Sequence, residues 1–180
     1  MKEKFWGRIP IEQAMALLYY QKGGVTQKLI HALKYQGQEQ IGKWLGEWYA
    51  QRLLASNSLQ TVEVVIPVPL HPKKMKKRGY NQVTLFGKAI AQALQVPFLE
   101  DVLLKQTYTS SQTKKHWLER QESHSEQLFL AKIAPIQNKH ILLVDDIVTT
   151  GATLTRCASL IIENVSASVS LACMAYSLNE

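Results

Sequence analysis

HILLVDDIVTTGATL, residues His140–Leu154, joins an apolar run to two carboxylates, a small-polar turn and the start of a periodic segment. Ile141–Val144 is the clearest strand in the sequence, and Leu154, Cys157, Ala158 and Ile161 then recur at the spacing of one helix face. Asp145 and Asp146 leave the strand at its carboxyl end, where open parallel sheets place their ligands. Thr149, Thr150, Gly151, Ala152 and Thr153 follow at the helix N-terminus. That turn offers backbone N–H donors, hydroxyls and the positive end of a helix dipole, which together suit a phosphate. Gly151 lets the backbone come close to it. Carboxylates for hydroxyls or a metal stand beside a phosphate cradle, so the natural ligand is a phosphorylated sugar. Two aspartates after a strand are by themselves an ordinary solvated turn and cap; the adjoining cradle is what gives them a shared task. No GxxxxGK[ST] or GxGxxG occurs. Receiver domains carry acidic pairs after a strand too, but near the start of their fold, whereas this pair lies near the end of the sequence.

Working outward, Val62–Val68 is rich in valine and isoleucine, as a buried parallel strand should be. Pro67, Pro69 and Pro72 then predict a stiff, extended loop and no helix. Val83, Phe86, Ile90, Ala91 and Leu94 mark a helix with Asn81 as its N-cap. Val102–Lys105 reads as a strand, and Gln106–Ser125 as a long polar loop of the kind that is either a functional lid or disordered. Asn164 is expected to take the left-handed position that ends the helix after Thr153, and Ser168–Ala175 is the last apolar strand. Strand and helix alternate from Val62 onward, which predicts an α/β parallel sheet flanked by helices. Before that, Ala14–Tyr20 is ambiguous between strand and helix. Val25, Leu29, Ala32 and Leu33 mark a helix that Gly37 stops, and Ile41, Leu45, Trp48 and Leu53 mark a second. Trp44 and Trp48, one turn apart, read as core or partner packing. The division expected is a mostly helical segment over 1–60 and a core over 61–180.

At 46% hydrophobic and 19% charged, the 180 residues can bury a core and are far from the composition of a disordered chain. Cys157 and Cys173 stand in apolar stretches without CxxC or Cys/His spacing, which predicts buried thiols and gives no support to a disulfide framework or a zinc site. No signal peptide opens the sequence and no apolar run is long enough to span a bilayer, so a soluble, cytoplasmic protein without membrane insertion is expected. The formal net charge of +7 points to an anionic partner, a phosphate-bearing small molecule or nucleic acid. It is concentrated at Lys73, Lys74, Lys76, Lys77 and Arg78, with a second cluster at Lys114, Lys115, His116 and Arg120.

VDDIVTTGAT (Val144–Thr153) resembles the phosphoribosyl pyrophosphate (PRPP) motif of type I phosphoribosyltransferases. PVPLHPKKMKKRGYNQ (Pro67–Gln82) and LKYQG (Leu33–Gly37) narrow the resemblance to the ComF family of competence-associated phosphoribosyltransferase-like proteins. It implies a type I phosphoribosyltransferase sheet with an N-terminal helical hood. It implies that Asp145 and Asp146 meet the ribose hydroxyls, directly or through magnesium, and that Thr149, Thr150, Gly151, Ala152 and Thr153 hold the 5′-phosphate. Val68, Pro69, Leu70, Lys73, Lys74 and Arg78 would face the pyrophosphate. Gln112, Lys114 and Lys115 would belong to the lid, with Arg120 joining Asp145 and Asp146 as a catalytic candidate. The sequence departs from the family in three ways. It contains no cysteine-rich zinc-binding module of the kind that opens ComF relatives, it has Ser123 where they tend to carry asparagine, and it has Asn164 in place of a common glycine.

The function implied is magnesium-dependent transfer of phosphoribosyl from PRPP, with release of pyrophosphate, in a protein linked by family to DNA uptake. The alternatives are a non-enzymatic accessory that binds single-stranded DNA beside a competence helicase, and a PRPP sensor that closes on its ligand without turnover.

Overall fold

The computed structural model describes residues 1–57, 59–107 and 126–178. Its main sheet has four parallel strands, β1 (Ala14–Tyr20), β2 (Val64–Pro67), β5 (His140–Val148) and β6 (Ser168–Ser177), in the order β1-β6-β5-β2. Strands β3 (Leu103–Thr107) and β4 (Glu126–Leu130) form a separate antiparallel pair. The helices are α1 (Val25–Tyr35), α2 (Gln40–Ala55), α3 (Pro72–Arg78), α4 (Thr84–Leu94) and α5 (Ala152–Asn164). Parallel strands need helices on both faces to cover them, and the central strands are accordingly apolar on both sides.

Alternation along β5 and β6 sorts the core into two halves. Leu142, Val144, Ala172 and Met174 meet Leu33 of α1, Tyr49 and Leu53 of α2, and Phe86 and Ile90 of α4. Ile141, Leu143, Leu171 and Cys173 point the other way, to Leu154, Cys157 and Ile161 of α5 and to Leu103 of β3. Phe5, from a single 3₁₀ turn at Lys2–Phe5, joins this second half and is fully buried. The strand that was ambiguous in sequence, Ala14–Tyr20, is β1; it lies within the segment expected to be mostly helical, yet pairs with β6.

Four local expectations are corrected. Pro72 does not hold the chain extended to Lys74. It opens α3, because proline at the first helical position lacks only an N–H that has no partner there and its φ is already helical. His71 caps that helix by accepting from Lys73 N at 3.1 Å, and Gly79, at φ 87°, ends it. Asn81 is not the N-cap of α4, whose N-cap is Val83; its side chain accepts from Val83 N at 3.3 Å in the turn before the helix begins at Thr84. Asn164 is not left-handed: it is the last residue of α5, its amide donates to Leu160 O at 2.8 Å, and the chain leaves through an extended Val165. Trp44 and Trp48 are exposed, so they are not core residues. No described helix is long and apolar enough to cross a membrane.

Candidate functional site at the rim of the sheet

The strand carrying the two aspartates does not stop before them. It continues to Val148, which still faces Tyr176 of β6, whereas β2 ends at the Pro67–Val144 pair. Asp145 and Asp146 thus stand just past the end of β2, with β6 on one side only. Alternation sends them to opposite faces. Asp146 turns toward α1 and α4, and it is buried. Its Oδ1 accepts from Lys34 Nζ of α1 at 2.9 Å, and its Oδ2 accepts from the Gln82 amide that precedes α4. Arg78, at the end of α3, donates in turn to Gln82 Oε1, and its guanidinium lies 5.5 Å from the centre of the Tyr35 ring. Tyr80 donates to Leu33 O, fixing the end of α1 against this network.

Asp145 turns toward α5, where its charge raises the thiols of Cys157 and Cys173 further than burial already does. Both cysteines are buried and unpaired, and the Cys157 thiol is pushed up to about 12, so neither is a nucleophile at neutral pH. Burial and the neighbouring Asp146 carboxylate push Asp145 itself up to about 7; the Asp146 N–H, which donates to its Oδ1 at 2.8 Å, and the charges of Lys34 and Lys105 offset part of this. Such a carboxyl can hold or accept a proton near neutrality.

A stability consequence follows from that direction. A carboxyl whose folded value lies above its ordinary 3.8 favours the folded state below that value, and the advantage is lost as pH rises through about 7. Asp145→Asn, which cannot ionise, is therefore expected to melt above the wild type at about pH 8, by on the order of 1–3 kcal/mol, with the difference shrinking toward about pH 4. Thermal melts across this range check it; a variant less stable than wild type at the alkaline end contradicts the assignment.

Past β5 the chain makes the turn Thr149–Gly151 and enters α5. Gly151 is buried at φ 77°, and a Cβ there would lie 2.9 Å from the Phe5 ring. Thr149 O accepts from Lys4 Nζ at 2.6 Å and Thr150 O from Arg8 at 3.1 Å. Thr150 Oγ1 accepts from Ala152 N at 3.2 Å. Thr149, Thr150, Ala152 and Thr153 are exposed at this helix N-terminus, which is the arrangement that favours an anion.

The loop after β2 lies on the other side of the aspartates. Val68 N donates to Val144 O at 2.9 Å, and Val68 O accepts from the Asn81 amide at 3.0 Å. Val68 and Pro69 are buried and Leu70 partly so, while Lys73 and Lys74 are exposed on α3. Lys74 and Arg78 line a cleft of about 290 Å³ with Lys34, Tyr35, Gly37 and Lys77; Lys73 does not. A larger cleft of about 610 Å³ lies away from the aspartates, at the opposite ends of β5 and β6. Its His140 is bonded at 2.8 Å to both Thr61 and Ser170, and burial holds its ring below the usual histidine range, which is the behaviour of a structural histidine.

Gln112, Lys114, Lys115 and Arg120 fall outside the described residues. Lys34, Gln82, Lys4 and Arg8 were not singled out from sequence as site residues. Lys34 and Gln82 do sit inside LKYQG and RGYNQ, and those motifs were the available signal. Lys4 and Arg8 lie in a segment without period and gave none. Among the described residues no three His, Cys, Asp or Glu side chains converge. The described residues alone therefore do not complete a magnesium shell; an ion at the two adjacent carboxylates would take its other oxygens from a phosphorylated ligand and water.

Residues 83–179 match the family described as the phosphoribosyl transferase domain. The DNA utilization protein YhgH of Salmonella typhimurium is 28% identical over 153 residues, covering 83% of this chain and 66% of its own length. Competence protein F of Haemophilus influenzae is 29% identical over 137 residues, covering 74% of this chain and 60% of its own. The chain thus spans just under two thirds of these relatives. A purine phosphoribosyltransferase from Pyrococcus horikoshii superposes with a TM-score of 0.46 at 15% identity, over 74% of this chain and 75% of that one.

Proposed function

Because this chain belongs to the phosphoribosyl transferase domain family, we propose that the rim formed by Asp145, Asp146 and Thr149–Thr153 binds PRPP with magnesium and transfers its phosphoribosyl group to an acceptor. The observation that carries this reading is the meeting, at one strand end, of a carboxylate pair and an exposed helix N-terminus. Asp145 and Asp146 accept hydrogen bonds from the ribose hydroxyls, and Thr149, Thr150, Gly151, Ala152 and Thr153 receive the 5′-phosphate. Val68, Pro69 and Leu70 form the wall beside the pyrophosphate, with Lys73, Lys74 and Arg78 supplying positive charge to it.

In the reaction the bond from ribose C1 to the pyrophosphate oxygen breaks, pyrophosphate leaves with the bonding pair, and an acceptor lone pair bonds to C1. Positive charge builds on the sugar, beside the two carboxylates, and negative charge builds on the leaving group, beside the lysines and arginine. Asp145 and Asp146 would hold magnesium through the ligand, and the ion would supply charge neutralisation at the phosphates. No nucleophilic side chain is required. A role in DNA utilization or competence accords with the names of the two relatives and with the exposed lysines of α3, Lys73, Lys74, Lys76 and Lys77, which can meet phosphates of single-stranded DNA.

Calorimetry with PRPP, with and without magnesium, tests the reading. The Asp145→Asn/Asp146→Asn double variant is expected to bind PRPP at least about tenfold more weakly than wild type while remaining folded. Unchanged affinity in that variant sinks it.

A further inference from the structure

The two edges of the main sheet differ. At β2, Val65 N donates to Pro97 O at 2.9 Å and Leu99 N donates to Val65 O at 3.0 Å, so the segment around Phe98 covers that edge. β1 lies at the other end of the strand order and pairs with β6 on one side. Among the described residues no hydrogen bond reaches its outer side. Its sequence, AMALLYY, contains none of the lysines or prolines with which edge strands are guarded against pairing. None of its seven side chains is buried, and Tyr19 is 70% exposed. An apolar, unguarded edge of this length is a template for one more strand.

The stretch EQAMALLYYQK (Glu12–Lys22) is complementary to its own reverse. Laid antiparallel against a second copy with Leu17 on the two-fold axis, it sets Glu12 opposite Lys22 and Gln13 opposite Gln21. Within the strand, Ala14 meets Tyr20, Met15 meets Tyr19 and Ala16 meets Leu18. Small side chains thus face large ones, amide faces amide, and opposite charges close both ends of the seam. This register engages every residue of β1, and a slip by two positions loses both charge pairs. Glu12 and Lys22 are exposed, and neither forms an ion pair among the described residues. Although the chain carries a net charge of +7, Glu12–Lys22 holds one acid and one base, so the seam itself is neutral.

We infer that β1 is a self-association edge: two copies of this chain pair β1 to β1 about a two-fold axis and merge two four-stranded sheets into one of eight. The partner is a second copy because the edge matches itself in charge and in side-chain size. The pairing requires nothing of the ligand read at the rim.

Sedimentation equilibrium of the whole chain over a concentration series tests this. The wild type is expected to pass from monomer to dimer and no further, since a two-fold pairing consumes the edge. Glu12→Lys places like charges at both ends of the seam and is expected to weaken the dimer by about fivefold or more, as is Lys22→Glu. Both positions are exposed, so the fold tolerates either change. The two substitutions combined reverse each charge pair without removing it, and should restore self-association to within about twofold of the wild type. A chain that stays monomeric at every concentration overturns the proposal, and is the result if the edge takes an extended segment of another protein instead. Dimers indifferent to both single substitutions overturn it by placing the contact elsewhere. Failure of the combined variant to recover overturns the register.

Discussion

Replacing Gly46 with valine is expected to lower the stability of the fold by ~3 kcal/mol or more and its melting temperature by roughly 10 °C. Gly46 sits where α2 crosses α4. A Cβ there would lie 2.6 Å from Phe86 O, 2.8 Å from Ala89 Cβ and 3.0 Å from Phe86 Cα. Two of these three atoms are backbone, so no side-chain rotation relieves the contact, and α4 must move away. Gly42, one turn earlier, would bring a Cβ no closer than 3.3 Å from Gln82 O, 3.6 Å from Phe86 N and 3.7 Å from Leu33 Cδ1. Gly42→Ala is therefore expected to be near neutral, because the helical preference of alanine offsets a mild contact. Displacing α4 also moves Gln82, so Gly46→Val should weaken ligand binding at Asp146 as well as stability. Thermal melts of the two variants check the contrast; similar melting temperatures would mean that the crossing is not as close as this.

Phe5→Ala is expected to cost ~3–5 kcal/mol, the range for emptying a buried aromatic site. The ring is fully buried and packs beneath Gly151, so its loss opens a cavity directly under the turn Thr149–Gly151. The turn also loses its anchor. Lys4 and Arg8 hold the carbonyls of Thr149 and Thr150 on one side. In a trans peptide the N–H points opposite to the C=O, so the N–H groups of Thr150 and Gly151 are aimed away from Lys4 and Arg8. Without Phe5 to seat the arm, this orientation is no longer imposed before an anion arrives, and the ordering cost moves to the binding step. The measurement is a denaturant melt paired with a ribose 5-phosphate titration. Phe5→Leu should recover most of the stability. Loss of stability with full ribose 5-phosphate affinity would show that the arm supports the fold but does not shape the turn.

Where local patterning carries the information, the sequence was readable. The run Ile141–Val144, the helix face of Leu154, Cys157, Ala158 and Ile161, and the left-handed Gly37 all arise from neighbours in the chain. Ala14–Tyr20 was not decidable, because a short apolar run suits a buried helix as well as a strand, and only pairing with β6 selects between them. β4 escaped notice because Glu126–Leu130 gains its regularity from β3, across the intervening polar stretch. Pro72 was misread because its effect depends on whether it falls inside a helix or at its first residue. The candidate site divides in the same way. Both aspartates and the turn Thr149–Gly151 are contiguous in the chain, so their meeting at the end of β5 was legible. Lys34 and Asp146 are separated by 112 positions, and no period or spacing links residues so far apart.

The unequal lengths of β2 and β5 have a further consequence. β2 stops level with Val144, so the next stretch of β5 is a ledge one strand wide, with β6 behind it and a notch in front. Consecutive carboxylates on a strand normally serve different compartments, because the sheet between them blocks any shared contact. At a notch that barrier is missing, and a small molecule seated on the edge can reach around the strand to both sides. The width of the gap would therefore set which molecules could touch both carboxylates. Lengthening β2 by a single pair would close it and leave two unrelated acids.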